Sequence, residues 1–366
     1  MKNLLLLLLA AILVASCTNP NEKKATMKNL LVGTYTGDGA TASQGIYLSE
    51  DESRSVHSVL LAESTNPSWL AYNNSANKLY AVEEVREGKI HVFQFEKGKA
   101  KRVQSVPSMG ASPCHLSLSP NGKYLAVANY MGGNIALYRL DNAGAIEGEA
   151  QVKQHEGSGP NKSRQEAAHA HWVGWDKSMQ YLYVVDLGID RLMAYPFDEK
   201  TGALGEGIVA LQLAPGSGPR HMYFHPNKNS AYIVNELHNT LIHAEVGEHG
   251  RLQTKNIVPL LPQDFSGHSQ AAHIAMQGEY LYVSNRGHDS IVVFSLLDDG
   301  APQLVQWQST QGHWPRHFSF SSDGGTLWVA NEQDDKIVAF SVEEDGGLSA
   351  VSEPLQISKP TFVSSY

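Results

Sequence analysis

Residues 219–235 read PRHMYFHPNKNSAYIVN, and this pattern decides the fold because it recurs six times along the chain. Each copy begins with Pro-x-His or a variant, passes through a turn, and continues into a hydrophobic strand that ends in Asn or an acid. Clear copies begin at Pro113 and Pro315. In three looser copies, the histidine position is occupied by Trp69, His171 and His273. The histidine positions are 44 to 56 residues apart, and periods of about 50 residues are typical of β-propeller blades.

A second alternating run follows each copy, as in Asn134–Leu140, Ser290–Leu296 and Lys336–Val342, and a polar, glycine-containing connection comes after it. Alternation of apolar and polar residues indicates strands with one buried face. Each repeat therefore supplies four strands, which is the content of one propeller blade.

The two ends of the chain complete one further blade. Residues 359–365 match only the first strand of the repeat, whereas Leu30–Tyr35 and Gly45–Ser49 match only its second and third strands. Pairing of these parts would remove the open sheet edges that promote aggregation. The sequence thus predicts an all-β, seven-bladed β-propeller whose ring is closed by pairing of the N- and C-terminal strands.

The composition fits a single propeller domain over residues 29–366. Of the 366 residues 18% are charged and 32 are glycine, which suits short strands joined by tight turns. The repeat runs from end to end without a Pro/Ser-rich linker, so one domain is expected. The formal net charge of −9 and the lack of a basic cluster argue against a nucleic-acid partner.

The first residues resemble an export signal. Lys2 is followed by an apolar run, Leu4–Val14, that is too short to span a bilayer. Small residues then precede Cys17, as in a bacterial lipoprotein cleavage box. We expect residues 1–16 to be a signal peptide, Cys17 to be lipidated, and residues 17–28 to be a flexible tether. The protein would then be exported, on the periplasmic or outer-membrane side, and would meet the membrane only through its lipid.

Two alternatives to the lipoprotein stay open. The leader could be an ordinary signal peptide with an incidental Cys17, or translation could start at Met27 and leave the protein in the cytoplasm. The chain has 2 cysteines, so Cys114 would be the only one in the mature domain and no intramolecular disulfide is expected there.

Variation within the repeat points to a site. The innermost strand of each blade faces the central channel. Residues that hold the ring of blades together should be the same in every blade, whereas a functional site needs different groups from a few blades. The departures from the repeat near the channel are His169, His171, Arg220, Glu236, Arg286, Arg316 and Glu332. Several arginines beside one or two carboxylates in a cleft predict an anion site with an acid or base group.

Structural roles compete with this interpretation. Repeated histidines at one register are expected to hydrogen-bond between neighbouring blades. Arg220–Glu236 and Arg316–Glu332 could be salt bridges within a blade. The repeated asparagines are expected to bond turn backbone; they are Asn129, Asn235, Asn285 and Asn331.

The sequence lacks the motifs that are typical of several classes of enzyme. The chain has no Gly-x-Ser-x-Gly, no His-Glu-x-x-His and no glycine-rich phosphate loop before a helix. His169-x-His171 could be a metal pair, but residues at this spacing share a strand face as often for packing as for ligation. The sequence therefore predicts no metal and no cofactor.

Five segments carry a likeness to a known family: Val32–Thr36, Gln44–Tyr47, His169–His171, Asp186–Arg191 and Gly218–His221. Together with Asn235-Glu236 they make residues 29–366 resemble the seven-bladed propeller lactonase family, which contains bacterial 6-phosphogluconolactonases and fungal carboxy-muconate cyclases. The resemblance implies a lactone hydrolase that acts on a sugar-acid lactone.

The family's proposed site falls here on His171, Arg220, Glu236 and Arg286. The resemblance implies that Glu236 or His171 is the base that activates water, that Arg220 stabilises the oxyanion or carboxylate, and that Arg286 holds an anionic tail. We expect substrate contacts from a further set comprising His169, Glu84, Arg316 and Glu332.

Other functions remain open. The chain could be a non-catalytic exported propeller that binds a glycan or a protein, or a cycloisomerase of muconate-type lactones. A calcium-dependent propeller lactonase would use Glu84, Asn235 and Asn285 as oxygen ligands. A 6-phosphogluconolactone is a cytosolic metabolite, whereas the leader indicates export, so the phosphorylation of the substrate and the oligomeric state are left open.

Overall fold

A computed structural model describes residues 29–39, 41–52, 55–351 and 353–366. They form seven antiparallel sheets, which confirms the predicted all-β, seven-bladed propeller. The expected signal peptide (1–16), Cys17 and the tether (17–28) lie outside the described residues. Among the residues described, no helix has the length and apolar character needed to cross a membrane.

Four blades consist of four consecutive strands that run in order from the channel outward. Blade 1 contains Leu70–Asn73, Lys78–Glu83, Lys89–Glu96 and Lys99–Pro107. Blade 2 contains Pro113–Leu118, Tyr124–Asn129, Asn134–Leu140 and Ile146–Gln154. Blade 4 contains Pro219–Phe224, Ser230–Asn235, Thr240–Val246 and Leu252–Pro259. Blade 5 contains Gln270–Gln277, Tyr280–Arg286, Ser290–Leu296 and Pro302–Ser309.

Blades 3 and 6 have a divided outer strand. Blade 3 contains Ala170–Trp175, Tyr181–Asp186, Arg191–Asp198, and the outer pieces Ala203–Leu204 and Ile208–Gln212. Blade 6 contains Pro315–Phe320, Thr326–Asn331, Lys336–Val342, and the outer pieces Leu348–Ala350 and Leu355–Gln356. Short 3-10 turns occupy Glu248–Gly250 and Glu332–Asp334.

Blade 7 joins the two ends of the chain. Its inner strand is Pro360–Ser365, and its other strands, from inside outward, are Leu30–Thr34, Gly45–Glu52 and Ser55–Glu63. The first two pair antiparallel, with Val32 opposite Val363, so the predicted closure is confirmed. Gly33 lies so close to blade 1 that a β-carbon there would stand 2.2 Å from the carbonyl oxygen of Pro67. A side chain at this position would push the closing blades apart.

Neighbouring blades are also tied by buried polar groups. The hydroxyls of Tyr80, Tyr232 and Tyr282 each donate to a glycine carbonyl in the next blade, at 2.6 to 2.8 Å. The amides of Asn129, Asn285 and Asn331 donate to carbonyls of the preceding connection, as expected from the repeat, whereas Asn235 donates to Thr240 Oγ1. Each bond pairs a buried donor, either a tyrosine hydroxyl or an asparagine amide N–H, that would otherwise be unsatisfied.

One ring from each blade fills the central channel. This aromatic plug consists of Trp69, His115, Trp172, His221, His273, His317 and Phe362, with ring centroids 4.1 to 5.9 Å apart where they meet. His115 and His317 accept backbone N–H groups of the next blade, at 3.4 and 3.3 Å, which fits the expected inter-blade role. Burial lowers the pKa of the plug histidines, that of His273 to about 3, so the plug is uncharged at neutral pH.

Deleting residues 359–366 tests the closure, because it removes the inner strand of blade 7 and leaves Leu30–Thr34 with an open edge. We expect the free energy of unfolding to fall by several kcal/mol, on the order of the largest single-site effects or more. Ser364→Ala, which keeps the strand, is the control. Denaturant unfolding of the truncated protein within error of the control would contradict a ring that depends on this strand.

Candidate active site

A β-bulge at the start of several inner strands directs one side chain into the end of the central channel where these strands begin, which we call the mouth. Pro219 pairs with Asn235 and His221 with Val234, so Arg220 has no partner in the ladder. The same shift isolates Cys114 in blade 2 and Arg316 in blade 6. Such bulges redirect side chains and are common beside active sites. The arginines therefore point into the mouth while the following residues enter the plug.

The register of blade 3 corrects the sequence alignment of His171. Ala170 pairs with Asp186 and Trp172 with Val185, so His171 is the bulged residue and corresponds to Arg220. The sequence alignment gave His171 the same position as the repeated histidines, but Trp172 occupies that position in blade 3 and lies 5.6 Å from His115 between ring centroids. His171 thus belongs to the mouth and not to the repeated structural histidines.

Glu236 is held by three guanidinium groups. Its Oε2 lies 3.1 Å from Arg220 Nε and 2.8 Å from Arg286 Nη2, and its Oε1 lies 2.5 Å from Arg164 Nη2. The glutamate side chain is 1% exposed. Burial would raise the pKa of Glu236, but the three arginines outweigh it and lower the pKa to about 2. Glu236 is therefore a fixed anion at neutral pH.

The arginines of this cluster differ in their other contacts and in their exposure to solvent. Arg220 Nη1 donates to the Ala272 carbonyl at 2.9 Å, and burial with neighbouring Arg286 and Arg316 lowers the pKa of Arg220 to about 9. Arg286 lies over the Trp314 ring, with its guanidinium carbon 5.3 Å from the centroid. The side chain of Arg164 is 29% exposed, against 3% and 5% for Arg220 and Arg286.

Arg164 was missed by the repeat pattern because it lies in the long connection between blades 2 and 3, outside any strand. Asp190 fixes this connection, since its Oδ1 accepts the side-chain amide of Gln165 at 2.8 Å. The same carboxylate accepts the backbone N–H groups of Gly216 and Gly218, each at 2.7 Å. One buried aspartate thereby positions the segments that carry Arg164 and Arg220.

The two histidines of blade 3 have different surroundings. His169 is stacked on Tyr130 with centroids 4.4 Å apart, and its Nδ1 and Nε2 lie 2.9 Å from Tyr130 O and 3.2 Å from Glu166 Oε1. His171 has Cys114 Sγ 3.9 Å from its Nδ1. Burial, with the charges of Arg220 and Arg316, holds the pKa of His171 well below its usual value, so its imidazole is neutral.

A second cluster brings together blades 1, 6 and 7. The Tyr35 hydroxyl lies 3.0 Å from both carboxyl oxygens of Glu84, and Ser68 Oγ donates to Glu84 Oε2. Arg316 Nη2 donates to the Tyr35 hydroxyl at 2.7 Å and lies 4.0 Å from Glu84. Arg316 Nη1 is 3.7 Å from Glu332 Oε2. Burial raises the pKa of Glu84.

The structure brings six of the eight predicted residues into these two clusters, whereas His169 and His171 lie beside Tyr130; the roles of all eight stay predictions. Arg220, Glu236 and Arg286 meet in one; Glu84, Arg316 and Glu332 meet in the other. Of the oxygens in the calcium alternative, those of Glu84 contact Tyr35 and Ser68. Within the described ranges, no three or more His, Cys, Asp or Glu side chains are grouped so that they could hold a metal ion.

Comparison with known proteins agrees with this fold. Residues 29–365 match the family model described as lactonase, 7-bladed β-propeller. A 6-phosphogluconolactonase of Bacillus subtilis is 35% identical over 304 residues, which cover 80% of this chain and 85% of the relative.

Solved structures give the same result. The structure of a putative 6-phosphogluconolactonase from Bacteroides fragilis matches with a TM-score of 0.81 at 30% identity, over 92% of this chain and 96% of that one. A periplasmic gluconolactonase from Pseudomonas aeruginosa matches with a TM-score of 0.83 at 28% identity, over 92% and 98% of the two chains. The chain therefore belongs to the seven-bladed β-propeller lactonase family, as its motifs predicted.

Proposed function

We propose that this protein is a hydrolase that opens the lactone of a sugar acid at the channel mouth. The observation that carries the proposal is the Glu236 cluster, where Arg164, Arg220 and Arg286 converge on one carboxylate. Three cations against one anion leave an excess of positive charge in a buried site. Such a site favours an anionic substrate and the negative charge that develops as a lactone opens.

His171 suits the role of general base better than Glu236. Its imidazole is neutral and buried at the mouth, and the thiol of Cys114, with Sγ 3.9 Å from Nδ1, is only a weak partner. Both carboxyl oxygens of Glu236 are already engaged as acceptors by guanidinium groups. In the proposed reaction water attacks the acyl carbon, His171 takes the proton, and Arg220 stabilises the oxyanion. Glu236 then serves to hold the arginines in place.

The substrate class follows from the relatives and the charge. One relative is named a 6-phosphogluconolactonase and another a periplasmic gluconolactonase. In this proposal Arg286 and the more exposed Arg164 bind a phosphate of the substrate or the carboxylate of the opened product. A phosphorylated lactone carries its own anion, whereas an unphosphorylated lactone gains charge only as the ring opens, so both belong in the first assays.

Export as a lipoprotein is a further part of the proposal. It is supported by Lys2, the apolar run Leu4–Val14 and Cys17, and by the likeness to a periplasmic gluconolactonase. An exported enzyme would meet free sugar lactones formed outside the cytoplasm. That setting favours the unphosphorylated substrate.

Arg220→Met tests the catalytic role of the cluster. If Arg220 stabilises charge that grows in the transition state, kcat for gluconolactone or its 6-phosphate should fall by roughly a hundredfold or more. Rates above spontaneous opening are measured with and without a chelator, since no metal is expected. Arg139→Met, at an exposed position, is the matched control. Wild-type protein that accelerates no lactone would overturn the proposed function; full activity of the folded variant would remove Arg220 from the mechanism.

Glu236→Gln tests the anchoring role of the carboxylate. It leaves three arginines without their anion, and breaking a buried pair costs about 3–5 kcal/mol. The stability that ionised Glu236 contributes is present above pH 4.5 and is lost as the pH falls toward about 2. The variant should therefore differ most from wild type near neutral pH and least in acid. Denaturant unfolding of both proteins near neutral pH and in acid measures this difference in stability, with exposed Glu149→Gln as the control. A loss of stability in Glu236→Gln that does not change with pH would contradict the anchoring role.

Cys17→Ala tests the lipoprotein. The substitution should abolish incorporation of labelled fatty acid and move the protein out of the membrane fraction, while melting of the propeller is unchanged. Detection of the unaltered protein in the cytosol, beginning at Met27, would show that the leader is not an export signal.

A further inference from the structure

Trp314 lies against the site but has no part in the proposed reaction. The guanidinium carbon of Arg286 stands over the Trp314 ring, 5.3 Å from its centroid. The same guanidinium group contacts Glu236, with Nη2 2.8 Å from Oε2. Trp314 is half-buried, in the connection that leads into blade 6. An aromatic ring therefore forms part of the wall of the Glu236 cluster.

The backbone of Trp314 adopts a conformation that disfavours its side chain. Its φ angle is +66°, in the left-handed region, and the residue before the inner-strand proline is left-handed in four other blades as well. Those positions hold Asn66, Ser112, Gly218 and Lys359. Glycine and asparagine adopt this conformation readily, whereas it is unusual for a bulky aromatic residue. Trp314 is thus a departure from the repeat, and strained residues of this kind cluster at functional sites.

Two backbone hydrogen bonds hold Trp314 in this conformation. Its N–H donates to Asp289 Oδ1 at 2.8 Å, and its carbonyl accepts the N–H of Glu332 at 3.1 Å. Asp289 belongs to the turn that follows Arg286 in blade 5, and its Oδ1 also accepts the N–H of Gly287 at 3.0 Å. One carboxylate therefore fixes the backbone beside the guanidinium group and the backbone that carries the ring.

Arg286 is tethered along one edge of its guanidinium group. Nε donates to the Gln270 carbonyl at 3.2 Å, and Nη2 donates to the Ala271 carbonyl at 3.3 Å besides contacting Glu236. Within the part of the chain that the structure describes, Nη1 has no hydrogen-bond acceptor. Bonds along one edge leave a planar guanidinium group free to tilt about that edge. The Trp314 ring lies against its face and opposes this tilt.

We infer that Trp314 is a positioning residue: its indole fixes the plane of the Arg286 guanidinium group, so that Nη1 is presented to an anionic group of the substrate or product. The inference rests on the proposed lactone hydrolysis, in which Arg286 binds that anion. It assigns a role to a residue outside the predicted site. The ring face also stabilises a guanidinium cation that the pocket removes from water.

Trp314→Leu keeps an apolar side chain but removes the aromatic face. The probes are gluconate and 6-phosphogluconate, the acids formed from the two assayed lactones, and their binding is measured by calorimetry. We expect Kd for the tighter of the two acids to rise about tenfold, within the range of a desolvated cation–π contact, while kcat is not lowered. A merely structural role would lower kcat together with binding.

Two further variants control this measurement. Trp314→Phe restores a ring face and should recover most of the lost affinity. Trp307→Leu removes another half-buried tryptophan, on the outer strand of blade 5, and should leave Kd unchanged. If Trp314→Leu does not fold, Trp314→Gly removes the ring at a position that Gly218 occupies in blade 4 with the same left-handed backbone.

A double substitution decides whether the ring acts through Arg286. In that case Arg286→Met raises Kd by itself, and Trp314→Leu raises it no further in the Arg286→Met protein. Equal losses in both backgrounds would overturn the inference, as would a Trp314→Leu protein with the wild-type Kd or a wild type that binds neither acid. Calorimetry needs no turnover, so a wild type that binds an acid but opens no lactone would overturn the proposed function separately.

Discussion

Pairing of the C-terminal strand with the first strand of the propeller is the contact on which the rest of the molecule depends. Each blade contributes only one or two side chains to the mouth, so the site exists only while the ring holds its blades at fixed angles. The Glu84 cluster shows this directly, because Glu84 comes from blade 1, Arg316 from blade 6 and Tyr35 from blade 7. Closing the ring brings the hydroxyl of blade 7 between the other two groups.

Within that ring the bulges separate structure from chemistry. Each bulged position gives the mouth one side chain, while the residue after it enters the plug. Substitution at the bulge can therefore change the site without disturbing the packing of the channel. Blades with Ser68, Ala272 or Thr361 at this position offer small groups, and the larger residues Cys114, His171, Arg220 and Arg316 confine the charges to a few blades.

Much of this arrangement could be predicted from the sequence, because the repeat fixes both strand order and register. The closed seven-bladed ring and the meeting of Arg220 with Glu236 follow from that pattern. His171 could not be placed correctly, since His169-x-His171 imitates the histidine positions of other blades and a one-residue bulge leaves no signal in composition. Arg164 lies in a connection that the repeat does not describe. The different contacts of Glu84 and Glu236 depend on partners from other blades, which a linear sequence does not reveal.

The aromatic plug closes the inner end of the mouth. Uncharged rings from all seven blades meet across the channel. In the proposed reaction the substrate and its product would therefore enter and leave at the same end of the channel. That reaction turns a neutral ester into a carboxylate beside the arginines. The charges that stabilise the opening ring would then also hold the acid product, so release of the product would be slower than release of the neutral lactone.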